Sequence, residues 1–340
     1  MKKRIAVIGA GSWGTVLAKV LEENGHEPIL YSNVENQVME INEKHTNKRF
    51  LPNLVLSENV KATTDLKEAI INSKIILFVL PTKATRVVAR QVSKLLEDKV
   101  ILVTASKGLE QKTHKRISEI LQEEIPEGKR EGIVALSGPS HAEEVAVKDL
   151  TTITAASANL DAAEKVQELF MNNYMRIYTN KDIIGVEYGA ALKNIIALGA
   201  GALAGLGYGD NAKAALITRG LAEISRLGIA FGADPLTFIG LSGVGDLIVT
   251  CTSIHSRNWQ AGNMLGKGHS LDEVLETVGM VVEGASTVVA ACELAKEKNI
   301  ELPITEAIYS VLYDHADVRD TIIELMNRDP KAEAHSKDQN

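Results

Sequence analysis

Gly9, Gly11 and Gly14 are spaced as G-x-G-x-x-G, between the apolar run Arg4–Ile8 and a helical pattern over Thr15–Glu23. In a strand–turn–helix unit the first glycine permits the turn, the second lets the backbone approach a pyrophosphate, and the third lets the helix pack on the strand. The free N–H groups at the helix start then face the anion. The spacing predicts a dinucleotide site; the alternative is a glycine-rich turn that binds nothing.

Lys193 is the second residue whose surroundings suggest chemistry. Its neighbours on a helical face are Gly189, Ala190, Ile196 and Ala197, all small or apolar, so the lysine lies on a packing face. Burial of an ammonium group is costly and lowers its pKa. Such a lysine can act as a general acid or base near neutral pH. The alternative is a lysine that reaches solvent from a buried helix.

The segment from Ser242 to Asn258 is dense in glycine, serine and threonine and lies between two helical patterns. Ser256 is a residue type that caps helix N-termini, and the predicted helix starts at Arg257. A helix N-terminus that also carries a guanidinium and an amide favours a phosphate. Composition alone equally allows a capped turn with a solvated arginine.

Two more polar segments follow predicted strands. Lys107 comes after the apolar run Val100–Thr104, and Ser-Gly-Pro-Ser-His-Ala at 137–142 comes after the next strand. Ligands of α/β sheets bind at the carboxyl ends of parallel strands, so both segments are candidates for a binding cleft. Single histidines such as His141 and His255 are more often surface or cap residues, and the pattern assigns neither a role.

The choice of dinucleotide depends on the end of the second predicted strand. An acidic residue there would hold the ribose 2′-hydroxyl of NAD, and an arginine would favour the 2′-phosphate of NADP. Ser32, Asn33 and Val34 are neither acidic nor arginine, and Glu35 lies slightly beyond the position that would contact the ribose. Because serine and asparagine can hydrogen-bond to either group, we expect modest discrimination.

The first half of the chain alternates apolar β runs with helical patterns such as Thr82–Leu96 and Asp161–Met171. This alternation predicts a Rossmann-type, doubly wound α/β domain. Several runs are continuously apolar, as expected when helices cover both faces of a parallel sheet. The predicted strands are Arg4–Ile8, Pro28–Tyr31, Lys74–Val79, Val100–Thr104, Ile133–Leu136, Thr151–Ala155 and Met175–Tyr178.

From about residue 183 the β pattern gives way to helical patterns, which predicts an all-helical second domain. We expect a dinucleotide-binding domain at 1–187, a helical substrate-binding domain at 188–328 and a disordered polar tail at 329–340. The predicted helices are Glu187–Gly207, Ala212–Phe231, Asn258–Leu265, Ser270–Val278, Gly284–Lys298, Ile304–Tyr313 and Ala316–Met326. Small residues along the first of these fit a helix buried within one subunit or at a homodimer interface.

Composition narrows the classes of function. The 340 residues carry a net charge of −7, which argues against a nucleic-acid partner. Cys251 and Cys292 form no metal-ligand spacing, the eight histidines are scattered, and no metal is predicted. No apolar stretch reaches the ~18 residues of a membrane span. We expect a cytoplasmic protein without a bound metal.

Taken together, these segments resemble the bacterial form of the NAD(P)-dependent glycerol-3-phosphate dehydrogenase family. The resemblance covers residues 1 to about 328, and it rests on the order and separation of several short motifs. These are G-A-G-S-W-G at 9–14, S-K-G at 106–108, S-G-P-S at 137–140, L-K-N at 192–194, G-D-L at 245–247, T-C at 250–251, S-R-N at 256–258 and V-E-G at 282–284.

The resemblance implies hydride transfer between NAD(P)H and dihydroxyacetone phosphate, giving sn-glycerol 3-phosphate for phospholipid synthesis. Lys193 is then the proton donor and acceptor at the substrate oxygen, Lys107 polarises and binds that end, and Asp246 orients the substrate or Lys193. The substrate-binding residues implied by family positions are Lys107, Gly138, Ser140, Lys193, Asn194, Asp246, Thr250, Ser256, Arg257 and Asn258.

The resemblance also implies a set of residues near the cofactor. These are Gly9, Gly11, Ser12, Trp13, Gly14, Asn33, Lys107, Ala142, Arg257, Val281 and Glu283. The chain departs from the family pattern at Asn33 and Val34, where many members carry a histidine or arginine against the 2′-phosphate. NAD and NADP therefore both stay open as cofactors.

Two other functions fit parts of the pattern. A β-hydroxyacid dehydrogenase or related reductase shares a Rossmann domain, a helical domain and a helix-borne lysine. The S-R-N segment at a helix start argues against it, as does the lack of an obvious carboxylate-binding arginine near Ser137. A dinucleotide-sensing protein without catalysis is the second alternative. Turnover of a phosphorylated triose separates all three.

Overall fold

The computed structural model describes residues 2–278, 282–330 and 332–333. The prediction for Val281 falls outside the described residues, as does most of the predicted tail at 329–340. The strands are β1 (Arg4–Ile8), β2 (Glu27–Tyr31), β3 (Thr46–Asn47), β4 (Leu51–Val55), β5 (Lys61–Thr63), β6 (Ile75–Phe78), β7 (Val100–Thr104), β8 (Arg130–Ser137), β9 (Thr151–Ala156) and β10 (Met175–Asn180).

Seven helices accompany these strands and eight follow them in the described part of the chain. The first seven are α1 (Ser12–Glu23), α2 (Glu35–Met39), α3 (Leu66–Ile70), α4 (Thr82–Leu95), α5 (Ile117–Glu124), α6 (Ala142–Ala146) and α7 (Leu160–Phe170). The others are α8 (Ile183–Gly205), α9 (Asp210–Ala230), α10 (Asp246–Thr252), α11 (Arg257–Gly266), α12 (Leu271–Val278), α13 (Glu283–Lys298), α14 (Pro303–Tyr313) and α15 (Val318–Met326). Short 3₁₀ or π turns occur at Glu40–Lys44, Glu127–Lys129, Pro235–Ile239 and Leu241–Gly245.

Eight strands form one sheet in the order β10-β9-β8-β7-β6-β1-β2-β5. Alternate residues of β1 enter two separate cores, because successive side chains of a strand point to opposite faces. Ile5 and Val7 pack with residues of α1 and α7, whereas Ala6 and Ile8 pack with residues of α3, α4 and α5. Helices therefore cover both faces, and the predicted doubly wound Rossmann-type fold is confirmed.

The sheet differs from the expected parallel arrangement at one pair of strands. β8 pairs with β9 antiparallel, while β9 and β10 are parallel to each other. An apolar run reports burial on both faces and carries no information on strand direction, which is why the pattern missed this reversal. The sequence pattern also did not predict β3, β4 and β5, which are short, partly polar and lie at or beyond the sheet edge.

The second half is built around α8, against which α9, α10, α11 and α13 pack. Small residues let these helices approach closely. A Cβ on Gly201 would lie 2.0 Å from the carbonyl oxygen of Trp259, and one on Gly262 would lie 1.9 Å from that of Leu198. Contrary to the expectation from the sequence, α8 is long and apolar enough to cross a membrane, the one such helix among those described, but 83% of its most apolar stretch is buried inside the protein. It is therefore packed as the core helix of this half.

The two halves meet along the start of α8. The last strand ends at Asn180 and α8 begins at Ile183. Val186 of α8 packs with Ala135 of β8 and Ala156 of β9, so the first turns of the helix belong to both cores. The carboxyl ends of β1, β6, β7 and β8 lie at one edge of the sheet because these strands are parallel. The domain boundary after residue 187 stays a prediction.

Candidate active site

The glycine loop after β1 has the geometry that a pyrophosphate site requires. Gly9 has a φ of +116°, and a Cβ there would lie 2.2 Å from the carbonyl oxygen of Val79. A Cβ on Gly14 would lie 1.9 Å from the carbonyl oxygen of Gly9. By contrast, no atom lies within 4 Å of the Cβ position of Gly11, which caps the N-terminus of α1. The loop therefore offers an open backbone surface at a helix start, which fits a dinucleotide pyrophosphate.

Two amide side chains that the sequence analysis did not single out brace this loop. Gln37 Nε2 donates to the carbonyl oxygen of Ala10 at 2.6 Å, and Asn47 Nδ2 donates to the same oxygen at 2.9 Å. Asn47 Nδ2 also lies 2.8 Å from Thr15 Oγ1, and Ser32 Oγ donates to Gln37 Oε1 at 2.6 Å. The Ser32 hydroxyl therefore already donates its hydrogen bond to a neighbouring side chain. Isolated amides carry no spacing signal that could have predicted this network.

The other predicted cofactor residues lie in different surroundings. Ser12 Oγ donates to the carbonyl oxygen of Phe50 at 3.3 Å, and Trp13 packs half-buried against the sheet core. Asn33 is exposed at the end of β2, and Ala142 is buried at the start of α6.

Glu283 approaches the S-K-G loop from the helical half. It begins α13, and Thr82 Oγ1 donates to its Oε2 at 3.5 Å. A Cβ on Gly108 would lie 2.5 Å from Thr82 Oγ1 and 3.1 Å from Glu283 Oε2. Burial raises the pKa of Glu283, and the charge of Arg257 opposes that rise. The structure thus brings predicted cofactor residues from both halves to one edge of the sheet.

The second set of predicted residues gathers around a buried carboxylate. Lys193 Nζ donates to Asp246 Oδ1 at 2.5 Å and to Thr250 Oγ1 at 2.8 Å. Asp246 Oδ2 accepts from Lys107 Nζ at 3.2 Å and from Ser137 Oγ at 3.4 Å. The Lys193 side chain is only 6% exposed, so it does not reach solvent. The S-K-G loop, β8, α8 and α10 each contribute to this cluster.

Two ammonium groups share one carboxylate in this cluster. Desolvation lowers the pKa of Lys193 to about 7; the charge of Asp246 opposes that shift and the charge of Lys107 adds to it. Burial acts to raise the pKa of Asp246, but Lys107 and Lys193 outweigh it and the pKa lies below its usual value. Asp246 is therefore ionised at neutral pH, where Lys193 exchanges between its two forms. Such a lysine can both donate and accept a proton.

The predicted phosphate residues lie at the start of α11. Ser256 Oγ accepts a hydrogen bond from the Trp259 amide at 3.2 Å, which confirms the predicted N-cap. Arg257 is exposed at the first helical position. Asn258 is buried, and its Oδ1 accepts from the Gly284 amide at 2.9 Å. Asn258 thus holds the start of α13, and its Nδ2 is the donor that it can offer a ligand.

Three remaining substrate candidates flank the lysine cluster. Gly138 directly follows Ser137 and has a φ of +149°; a Cβ there would lie 2.9 Å from the Cα of Ile153. Ser140 Oγ donates to the carbonyl oxygen of Gly138 at 2.9 Å. Asn194 is buried next to Lys193 on α8. The 137–142 loop and α8 meet at Asp246, which accepts from both Ser137 and Lys193.

A second buried charge cluster on α8 was absent from the sequence analysis. Glu187 accepts from Arg116 Nη1 at 2.7 Å, from the Ser118 amide at 2.8 Å and from Ser118 Oγ at 2.5 Å. It therefore ties α8 to the start of α5, which follows the loop that carries Lys107. The signal was available, since Glu187 and Lys193 are the two charged residues of α8.

Comparison with known proteins gives the same identification over nearly the whole chain. The family descriptions "NAD-dependent glycerol-3-phosphate dehydrogenase N-terminus" and "C-terminus" match residues 4–163 and 182–323. A glycerol-3-phosphate dehydrogenase (NAD(P)+) of Enterococcus faecalis is 67% identical, with 98% of each chain covered. The corresponding protein of Ligilactobacillus salivarius is 64% identical over 98% of this chain and 99% of its own.

Solved structures agree with the sequence relatives. The glycerol-3-phosphate dehydrogenase of Coxiella burnetii superposes with a TM-score of 0.91 at 37% identity, covering 96% of this chain and 99% of its own. A D-mandelate dehydrogenase with NADH and a ketopantoate reductase of Ralstonia eutropha share the fold alone, each at 14% identity with TM-scores of 0.60 and 0.59. The chain belongs to the NAD-dependent glycerol-3-phosphate dehydrogenase family.

Proposed function

We propose that this protein catalyses the reversible reduction of dihydroxyacetone phosphate to sn-glycerol 3-phosphate with NADH or NADPH. Its full-length relatives carry the name of that activity. The observation that carries the proposal is the buried Lys193 ammonium, held by Asp246 and Thr250 and with a pKa of about 7. A ketone reductase needs a proton donor of this kind at the carbonyl oxygen.

When bound, the reduced nicotinamide supplies a hydride to the carbonyl carbon of the substrate. Lys193 donates a proton from Nζ to the oxygen on that carbon, where negative charge develops. Asp246 and Thr250 hold Nζ in one direction, which fixes the donor before the reaction. Lys107, on the other oxygen of Asp246, adds a second positive charge that polarises the carbonyl. In the reverse direction, neutral Lys193 accepts the proton.

The substrate phosphate binds at the start of α11 in this proposal. Arg257 and the free N–H groups of a helix N-terminus offer charge and directed donors to a dianion. Ser256 and Asn258 line the same helix start, and both also serve structural bonds. Asn194 lies on the same side, since both its carbonyl oxygen and Asn258 Oδ1 are close to Gly284, and Gly138 and Ser140 complete the set from the loop after β8.

The cofactor spans the edge of the sheet from β2 to the lysine cluster in this proposal. Gly9, Gly11 and Gly14 hold the pyrophosphate with Ser12 and Trp13, and Asn33 lies at the adenosine ribose. Lys107, Ala142, Arg257 and Glu283 lie toward the nicotinamide end. Since Asn33 is exposed and uncharged and Ser32 is committed to Gln37, we expect both NADH and NADPH to support turnover.

We propose that the enzyme works in the cytoplasm and that its product supplies the backbone of phospholipids.

A homodimer is part of the same proposal, and light scattering of the purified protein tests it. A single subunit mass in dilute solution would contradict a stable dimer.

Steady-state assays with the purified protein test the function directly. We expect oxidation of NADH and of NADPH in the presence of dihydroxyacetone phosphate, and weak or no activity with a non-phosphorylated hydroxyacid. Preference for the hydroxyacid would instead support a β-hydroxyacid dehydrogenase. Nucleotide binding with no turnover of either substrate would support a sensor.

A further inference from the structure

His141 is a histidine to which the proposed mechanism gives no role. It precedes α6 as its N-terminal cap, between Ser140 and Ala142 on the loop after β8. The ring of His255, on the loop before α11, lies across the cleft with its centroid 6.0 Å away and its plane tilted by 60°. The two rings therefore connect the segments that carry the proposed substrate residues of both halves.

The hydrogen bonding of His141 leaves one ring nitrogen without a partner. The imidazole is hydrogen-bonded to the backbone of Val249, the residue before the Thr250 that holds Lys193. Nε2 is buried and has no hydrogen-bond partner within the described part of the chain, so the bond to Val249 comes from Nδ1. A buried polar atom without a partner is costly, and such atoms are rare in native proteins.

The tautomer decides what kind of partner Nε2 needs. Burial lowers the pKa of His141, and the nearby charge of Lys193 lowers it further, so the ring is neutral at neutral pH. A neutral imidazole that donates from Nδ1 has an acceptor lone pair on Nε2. The missing partner must therefore be a hydrogen-bond donor.

Dihydroxyacetone phosphate contains one such donor. Its phosphate and its carbonyl oxygen accept hydrogen bonds, whereas the hydroxyl on its far carbon donates one. That carbon adjoins the carbonyl carbon, so its hydroxyl must lie beside the oxygen that faces Lys193. His141 is hydrogen-bonded to the backbone of Val249, and the charge of Lys193 acts on its ring. We therefore expect the ring to lie near this hydroxyl.

We propose that Nε2 of His141 accepts a hydrogen bond from the free hydroxyl of the substrate and so selects trioses that carry it. The inference rests on the proposed function, because it concerns the same substrate. His255 is exposed, and exposed side chains change rotamer rapidly. A site built to pair with a hydroxyl rejects the analogue that lacks it, because the buried acceptor stays unpaired.

The test compares two substrates in two enzymes. Hydroxyacetone phosphate has a hydrogen in place of the free hydroxyl and is otherwise the same. We expect the unaltered enzyme to prefer dihydroxyacetone phosphate by about tenfold or more in kcat/KM. In His141→Phe, which keeps a flat ring but has no acceptor, we expect the preference to fall close to one. Comparing the ratio of the two substrates' kcat/KM values between the two enzymes cancels any general effect of the substitution, because such an effect lowers both rates equally.

Each outcome decides between the explanations. No preference in the unaltered enzyme overturns the inference without any variant. An unchanged preference in His141→Phe, with both rates lowered together and a raised KM for the cofactor, would mean that Nε2 pairs with the nicotinamide carboxamide, which also overturns it. The matched control His255→Phe should keep the preference, and an equal loss there would place the recognising atom elsewhere. Turnover of neither triose by the unaltered enzyme refutes the proposed function itself.

Discussion

Two buried charge clusters lie less than two turns apart on α8, and they differ in how their charges are balanced. Around Glu187, one carboxylate meets one guanidinium and two donors of Ser118. Around Asp246, one carboxylate meets two ammonium groups, of Lys193 and Lys107. The first cluster has no surplus positive charge, because its one guanidinium, that of Arg116, also pairs with Glu119 at 3.3 Å. The second carries a surplus positive charge.

The two clusters are equally buried, so the difference in their charges is what distinguishes the structural cluster from the catalytic one. The Glu187 and Lys193 side chains are 7% and 6% exposed, so burial alone does not distinguish them. A surplus cation in a buried cleft lowers the pKa of a neighbouring ammonium and attracts an anionic oxygen. A balanced and hydrogen-bonded pair fixes two elements in place. A surplus of positive charge around one buried carboxylate is therefore the property that marks the site.

Replacement of Lys193 by methionine breaks the catalytic cluster most directly. We expect kcat for dihydroxyacetone phosphate to fall by about 10³-fold, because no buried acid then faces the carbonyl oxygen. Asp246 keeps Lys107 as its counter-ion, so no unpaired carboxylate is left in the protein. Steady-state kinetics measure the loss.

The control for this variant is its affinity for the reduced cofactor, measured by fluorescence titration. We expect that affinity to stay within a few-fold of the unaltered enzyme, since the glycine loop is untouched. Near-normal turnover in Lys193→Met would show that another group supplies the proton.

Asp246→Asn makes the imbalance larger, because both ammonium groups lose their counter-ion. We expect kcat at neutral pH to fall by about 10²-fold, since the pKa of Lys193 drops and less of it is protonated. Loss of one partner of a buried ion pair should also lower the free energy of unfolding by about 3 kcal/mol. Activity that partly recovers at lower pH distinguishes this cause from misfolding. A pH profile like that of the unaltered enzyme would refute the role given to Asp246.

Glu187→Gln is the matched change in the structural cluster. We expect the free energy of unfolding to fall by about 1–3 kcal/mol, because the Arg116 guanidinium loses its buried partner and keeps only the more exposed Glu119. The pH dependence of kcat should stay unchanged, since the charges around Lys193 are the same. Denaturant unfolding and pH–rate profiles measure the two effects. A shifted pH profile would mean that the two clusters are coupled through α8.

The sequence was enough to predict the elements whose apolar residues form a continuous run or recur at helical spacing. Seven of the strands and the course of α8 followed from apolar runs and helical spacing, as did the glycine loop. The antiparallel pairing of β8 and β9 could not be predicted, because strand direction depends on the path of the connection and leaves no mark on an apolar strand. The short strands β3 to β5 gave too little periodicity.

The site was predictable where one residue stood out against its surroundings. Lys193 did so in an apolar helix, and Ser256 did so as a cap type before Arg257. Gln37 and Asn47 were not predictable, because their role depends on a turn that brings residues distant in sequence onto Ala10. The position of Lys107 after a strand made it a candidate for the cleft, but its role and that of Asp246 came from the family resemblance, because their shared contact joins the two halves.

The central claim is that the buried Lys193 ammonium, with a pKa of about 7, is the proton donor to the substrate ketone. The pH dependence of kcat in both directions, with both substrates saturating, tests it most directly. Reduction needs protonated Lys193, so its rate should fall by about tenfold per pH unit above pH ~7. Oxidation needs neutral Lys193, so its rate should rise with pH and level off above the same point. Profiles that change in the same direction, or a reduction rate that stays constant up to the usual pKa of lysine, would contradict it.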